Sequence, residues 1–212
     1  MLQPKRKMTA IEAKFIGVAR HRIGRDGDGV TTLAAFHGCP LHCRYCLNPQ
    51  CLDTNYSYRI LTPEKLHAEV MIDDLYFQAT GGGVTFGGGE PCQQSLFIEE
   101  FRRISNPIWK INIETSLNVP QSNIERIMPF VNNFIIDIKD MNTNIYKAYT
   151  TIDNGRVMAN LQYLAQHNMQ EKCRIRLPLI KDYNTPTNVA ASKKQLSAMG
   201  FTDFDEFEYR VN

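Results

Sequence analysis

The sequence has no apolar run long enough to cross a membrane. Lys5, Arg6 and Lys7 stand near its start, but no hydrophobic stretch follows them, so the pattern of a secretion signal is missing. An excess of one charge is missing too. Lys and Arg number 24 against 22 Asp and Glu, a formal net charge of +2, too near neutrality to argue for nucleic acid. There is no internal repeat, low-complexity stretch or obvious linker. These absences predict a cytoplasmic globular protein with no membrane or nucleic-acid role. What is present fits that class: 212 residues, 43% apolar and 22% charged. That length supports one sizeable core and leaves little room for a second. A single domain over 1–212 is expected, its core at about 14–209.

The six cysteines are unevenly spread. Cys39, Cys43 and Cys46 fall within eight residues, whereas Cys51, Cys92 and Cys173 are scattered. Without a secretion signal, clustered cysteines read as metal ligands rather than disulfides. The scattered three read as free thiols.

Short β-rich runs alternate with helical patterns along the chain. Strands are expected at 30–36, 83–86, 109–113, 134–138, 173–177 and 204–209. A helix is expected at 63–77, with Thr62 as N-cap and Pro63 at its first position. Further helices are expected at 96–104, 122–128, through Val157, Leu161 and Leu164, and at 187–199. The glycines at 81–83 read as a turn. Six strands linked by helices predict a parallel α/β sheet with right-handed crossovers. A closed eight-unit barrel needs about 250 residues, so the expected fold is a partial (β/α)6 TIM-like barrel, with a flat doubly wound sheet as the alternative. In such folds chemistry gathers at the carboxyl ends of the strands. The cysteine cluster, residues 87–90, Glu114 to Ser116, Asp137 with Lys139, and Arg176 each end one of these strands, so they are expected on a single rim.

The cysteine spacing is C-x3-C-x2-C. A structural zinc site takes four protein ligands, and so does an ordinary [4Fe–4S] cluster. Three local cysteines leave one iron of such a cluster open to an outside ligand. A zinc knuckle completed by His42 or Cys51 is the competing reading. The glycines at 87–89 let the backbone approach a ligand closely, and Glu90 can accept from an ammonium group. A plain tight turn would carry the same glycines.

The motif Cys39-Pro-Leu-His-Cys43-Arg-Tyr-Cys46, with Tyr45 before the last cysteine, resembles the signature of the radical S-adenosylmethionine (SAM) superfamily. Asp26-Gly-Asp-Gly29, then a strand and Gly38-Cys39-Pro40, resembles the opening of glycyl-radical-enzyme activases of the pyruvate formate-lyase type. So do VTFGGGEP at 84–91, Asp137-Ile-Lys139-Asp-Met-Asn142, and Ile175-Arg176 with Pro178-Leu-Ile180. The resemblance covers about 14–208. It implies a [4Fe–4S] cluster on Cys39, Cys43 and Cys46 that reduces bound SAM to a 5′-deoxyadenosyl radical. It implies SAM contacts at Tyr45, Cys46 and Leu47 near the adenine, and at Gly88, Gly89 and Glu90 near the methionine amino group. Asp137, Ile138 and Lys139 are implied as contacts to SAM or the target peptide, Lys139 toward the SAM carboxylate, and Arg176 toward the carboxylate or ribose. A monovalent cation beside Glu114 and Asp137 is implied as a possibility, although Glu114 and Ile135 depart from the usual Asp and Met. A histidine that often follows the sixth strand has no counterpart before Asn212. Only one further cysteine, Cys51, lies between Cys46 and Thr62, so a single cluster is expected.

The implied partners are a glycyl radical enzyme as protein substrate and a flavodoxin or ferredoxin-type electron donor. Radical modification of a peptide or small molecule, and a non-enzymatic metal scaffold, stand as alternatives.

Overall fold

Along the middle strands apolar and polar residues alternate, and that period of two decides which side of the sheet meets the helices. The computed structural model describes residues 10–209. Its strands are β1 (Ala13–Ile23), β2 (Val30–Phe36), β3 (Arg59–Leu61), β4 (Gly83–Gly88), β5 (Lys110–Thr115), β6 (Asn133–Asp137), β7 (Cys173–Leu179) and β8 (Asp203–Glu208). Its helices are α1 (Pro63–Val70), α2 (Asp74–Thr80), α3 (Ser95–Ile104), α4 (Gln121–Ile127), α5 (Thr143–Thr150), α6 (Gly155–Gln166) and α7 (Pro186–Ala198).

Val84 and Phe86 on β4, Ile111 and Ile113 on β5, Phe134 and Ile136 on β6, and Ile175 and Leu177 on β7 all enter one hydrophobic core. Phe97 and Phe101 of α3 join them, with Phe101 edge-on to Phe86 at 5.3 Å. Each such ring contributes about 1.5–3 kcal/mol on burial. The intervening residues face the other side and are mostly polar, Ile135 and Gly87 being exceptions. Thr85, Asn112 and Asn133 form a row across three neighbouring strands. Asn133 Nδ2 donates to Asn112 Oδ1 at 3.0 Å, and Asn112 Nδ2 to Thr85 Oγ1 at 3.3 Å. Thr85 Oγ1 donates onward to the Asp26 carbonyl at 2.6 Å. The turn between β1 and β2 is therefore tied to the polar face of β4.

The sheet has eight strands in the order β3-β1-β2-β4-β5-β6-β7-β8. From β2 to β8 every pairing is parallel, as the six expected strands require. The sheet is not closed, and the partial barrel holds. Two strands correct the expected count, since β1 and β3 add to the β2 edge antiparallel. The expected helix at 63–77 is broken. Thr62 caps α1 and Pro63 opens it as predicted, but a 3-10 turn at Met71–Asp73 separates α1 from α2. The turn brings Asp73 inward, where it is buried. Its carboxylate accepts from Arg20 Nε at 2.9 Å and from Thr32 Oγ1 at 2.7 Å. Burial opposes that charge, yet the Arg20 and Thr32 bonds hold the carboxyl below its ordinary range. A further helix, α5, lies beyond the expected set. Residues 81–82 form the expected turn and Gly83 opens β4. Among the described residues no helix is long and apolar enough to cross a membrane.

Candidate active site at the carboxyl rim

β2 ends at Phe36, and the cysteine loop follows directly. Backbone bonds fix this loop on two sides. On the β4 side, Gly89 N donates to Phe36 O at 2.9 Å and Glu90 N to Gly38 O at 2.8 Å. On the α5 side, His42 N donates to Thr150 O and Arg44 N to Tyr149 O, both at 3.1 Å. Cys43 is thus held at the carboxyl end of α5. Gly88 has a φ of +91°, a conformation that favours glycine. A Cβ on Gly89 would run into the Gly38 carbonyl. Gly89→Ala is therefore expected to push the two loops apart, lowering both thermal stability and iron content after anaerobic reconstitution. Iron content equal to the parent's would contradict it.

The rim encloses a cavity of about 630 Å³. Cys39, Cys43, Cys46, Leu47, Gly88, Gly89, Asp137, Lys139 and Arg176 all line it, as does Glu114. Three expected contacts do not: Tyr45, Glu90 and Ile138. Tyr45 turns outward, its hydroxyl 3.4 Å from Asp182 Oδ2. Ile138 is buried, with its N–H on Arg176 O at 3.0 Å. Glu90 is buried and points along the sheet. Its Oε1 accepts from Cys92 N at 3.1 Å and Thr115 Oγ1 at 2.7 Å. Its Oε2 accepts from Ser116 N at 2.9 Å and Ser116 Oγ at 2.6 Å. A carboxylate has about four acceptor positions, and here four donors occupy them. In this structure the Glu90 side chain braces the rim between the end of β5 and the segment after β4.

The charges in the cavity are matched. Lys139 Nζ lies 3.7 Å from Asp137 Oδ2. Burial works against the lysine charge, but Asp137 and Cys43 outweigh it and raise its pKa. Arg176 bonds Glu114 at 3.1 Å and reaches Asp205 at 3.6 Å. Burial, reinforced by Asp26 and Asp137 against the pull of Arg176, pushes Glu114 from 4.5 up to about 7. A raised carboxyl pKa means that the folded state binds the proton more tightly than the unfolded state. Stability on this account is lost as pH rises from about 4.5 to about 7. In cluster-free protein Glu114→Gln should gain in melting temperature over the parent across that window and hold the gain above it. A constant difference across the series would refute this.

Burial pushes the thiols up, Cys39 to about 12 and Cys43 to about 11, with Lys139 holding Cys43 down. A bound metal replaces such a proton, since it takes the thiolate. Among the described residues no three of His, Cys, Asp and Glu converge as ligands of one ion must. Cys39, Cys43 and Cys46 share one cavity, each partly buried. The donor set and cavity fit a cluster with one open iron. The other cysteines are buried and bonded locally: Cys51 Sγ to Phe36 O at 3.4 Å, Cys92 Sγ to Thr115 Oγ1 at 3.4 Å, and Cys173 Sγ to Met169 O at 3.2 Å. His42 is exposed and His37 contacts Asp53 O at 3.0 Å.

Several cavity residues escaped the sequence reading. Arg22, bonded to Asp26 at 2.9 Å, comes from the unforeseen β1. Asn48 donates to Gly88 O at 3.3 Å. Asp205 was legible in principle, since β8 was expected and its alternation puts Asp205 on the lining face.

Residues 34–186, well over half of the chain, match the radical SAM superfamily. The chain belongs to that superfamily. It is an enzyme of the radical SAM class, whose chemistry rests on a [4Fe–4S] cluster and SAM. Its curated relatives include activating enzymes. The pyruvate formate-lyase 2-activating enzyme of Escherichia coli (strain K12) is 24% identical over 239 residues, covering 94% of this chain and 80% of that one. The (2S)-3-sulfopropanediol dehydratase activating enzyme of Klebsiella oxytoca is 26% identical over 220 residues, covering 75% and 69%. Among solved structures, Streptococcus suis SuiB bound to S-adenosylmethionine superposes with a TM-score of 0.66 at 14% identity, over 82% of this chain and 39% of that one. That likeness concerns the fold. This radical SAM enzyme is thus homologous to glycyl-radical-enzyme activases at modest identity.

Proposed function

We propose that this radical SAM enzyme installs a glycyl radical on a partner enzyme. One observation carries the reading. The three cysteines, Gly88–Gly89, Asp137, Lys139 and Arg176 line one cavity at the rim of an unclosed sheet, and relatives that match most of this chain are activating enzymes. An open side suits a protein loop as substrate.

Cys39, Cys43 and Cys46 would hold the cluster, which supplies the electron that converts SAM to a hydrogen-abstracting 5′-deoxyadenosyl radical. Carbonyls of the Gly88–Gly89 segment would receive the methionine ammonium, since the Glu90 carboxylate is already saturated. Lys139, charged and next to Asp137, would face the methionine carboxylate, and Arg176 the carboxylate or ribose. The buried rim excludes water from that end of the cavity. A monovalent cation at Glu114 and Asp137 would share those carboxylates with Arg176 and Lys139. A flavodoxin or ferredoxin-type donor would supply the electron.

The test is anaerobic incubation with SAM, dithionite and each glycyl radical enzyme of the source genome. A glycyl doublet in electron paramagnetic resonance (EPR), with one 5′-deoxyadenosine per radical, is expected. Release of 5′-deoxyadenosine with no doublet from any candidate would overturn the activase reading while leaving SAM cleavage in place.

A further inference from the structure

Strands of a parallel sheet are covered on both faces as a rule. β8 departs from that rule, with five of its six residues exposed. It is the last strand in the sheet and pairs only with β7. One row of its backbone groups is therefore left over. Tyr209 N donates to Leu179 O at 2.9 Å, so in a parallel ladder Tyr209, Phe207, Asp205 and Asp203 turn their peptide groups toward β7. The peptide groups of Phe204, Glu206 and Glu208 point outward from the edge.

Side chains alternate between the two faces of the strand. Phe204 and Glu206 face α7, where Lys193 Nζ lies 5.4 Å from the Phe204 ring centre and donates to Glu206 Oε1 at 2.6 Å. Asp205 and Tyr209 face the other way and line the cavity that holds the three cysteines. Phe207 stands between them on that face and is exposed, its ring 6.4 Å from that of Tyr209.

Charge on an edge strand commonly guards it against pairing with other chains. Here most of that charge is neutralised within the chain. Asp203 pairs with Arg174 at 3.0 Å, Asp205 with Arg176 at 3.6 Å and Glu206 with Lys193 at 2.6 Å. Glu208 is the remaining acid, exposed and with no ion pair among the described residues. A guarded edge also has no use for an exposed aromatic ring.

We infer that the β8 edge takes an extended segment of the partner protein as an additional strand, with an apolar or small residue of that segment on Phe207 and a basic one at Glu208. Main-chain bonds to Phe204, Glu206 and Glu208 supply affinity that is blind to sequence, and the two side chains select. A second copy of this chain is a poor occupant, because it would set an acidic strand against itself. A segment on this edge lies beside the strand whose Asp205 and Tyr209 border the cavity, so an adjoining loop of the partner is delivered to the radical. The inference rests on the activase reading and names how the protein substrate is held.

The test uses the anaerobically reconstituted enzyme with a glycyl radical enzyme of the source genome. Glu206→Pro removes the central outward N–H. That nitrogen faces away from β7, so the β7–β8 ladder is kept, and melting temperature and iron content should match the parent's. The partner concentration that gives half-maximal glycyl radical should rise about tenfold. Glu208→Lys alters one exposed side chain and leaves the fold alone. It should raise that concentration about threefold at low salt and reduce its dependence on added salt. Amide hydrogen exchange should show Phe204, Glu206 and Glu208 of the parent protected only when the partner is present. If the doublet forms while those amides stay unprotected, the inference is overturned and the activase reading stands. The same holds if a folded Glu206→Pro, or Glu208→Lys, saturates at the parent's partner concentration. Absence of any doublet from the parent overturns the activase reading, and the docking edge with it.

Discussion

Cys43→Ala is expected to give a folded protein that binds almost no cluster iron and releases no 5′-deoxyadenosine above a no-enzyme control. The loop around Cys43 is held by main-chain bonds from His42 and Arg44 to α5. The substitution therefore removes a ligand without removing the loop's support, and the fold should lose little stability. Three thiolates are the minimum that leaves one iron open, and two cannot retain the cube. Cys51→Ala is the contrasting case. Cys51 is as close in sequence as a spare ligand could be, but it is buried and its thiol points at Phe36 O. That variant should keep its iron, sulfide and visible absorption. A zinc centre completed by Cys51 would reverse the outcome, with one zinc in the parent and none in Cys51→Ala.

Glu90→Ala is expected to have the largest effect on stability. It removes the acceptor for four donors at once: Cys92 N, Thr115 Oγ1, Ser116 N and Ser116 Oγ. Cys92 and Thr115 are buried, so water replaces those bonds poorly. Each hydrogen bond to a charged group is worth about 1.5–3 kcal/mol, and relaxation recovers part of that. A net loss of about 3–5 kcal/mol follows, roughly 10 °C in melting temperature for a chain of this size. Cluster-free protein isolates this effect from any on SAM. A melting point within two or three degrees of the parent (about 1 kcal/mol) would show that the carboxylate is not structural and would return it to the ligand.

The six parallel strands and their shared rim were legible because each is a short β-rich run followed by a helical pattern. The antiparallel addition was not. β1 carries register shifts between Phe15 and Gly17 and between Ala19 and Arg22. Such irregularities break the alternation by which a strand is recognised. β3 is three residues long, too short to show any period. The break between α1 and α2 comes from a distant contact, since Asp73 is drawn in by Arg20 and Thr32. α5 is eight residues with two tyrosines and two threonines, a weak helix by composition. It is secured by the Asn142 cap and by its burial. At the site, residue type and spacing identified the cysteines. They did not reveal where the Glu90 carboxylate points, because that depends on Thr115 and Ser116 arriving beside it from another strand.

The docking of the cysteine loop on α5 also bears on the order of events during synthesis. Cys46 leaves the ribosome about a hundred residues ahead of the carbonyls of Tyr149 and Thr150 that seat its loop. Until α5 has emerged and packed, the thiols are on an unsupported segment open to oxidation. The loop is therefore seated only once most of the chain has been made. A carrier that hands over iron and sulfide would meet a barrel already folded through its fourth parallel strand, with the ligands presented together at a finished rim.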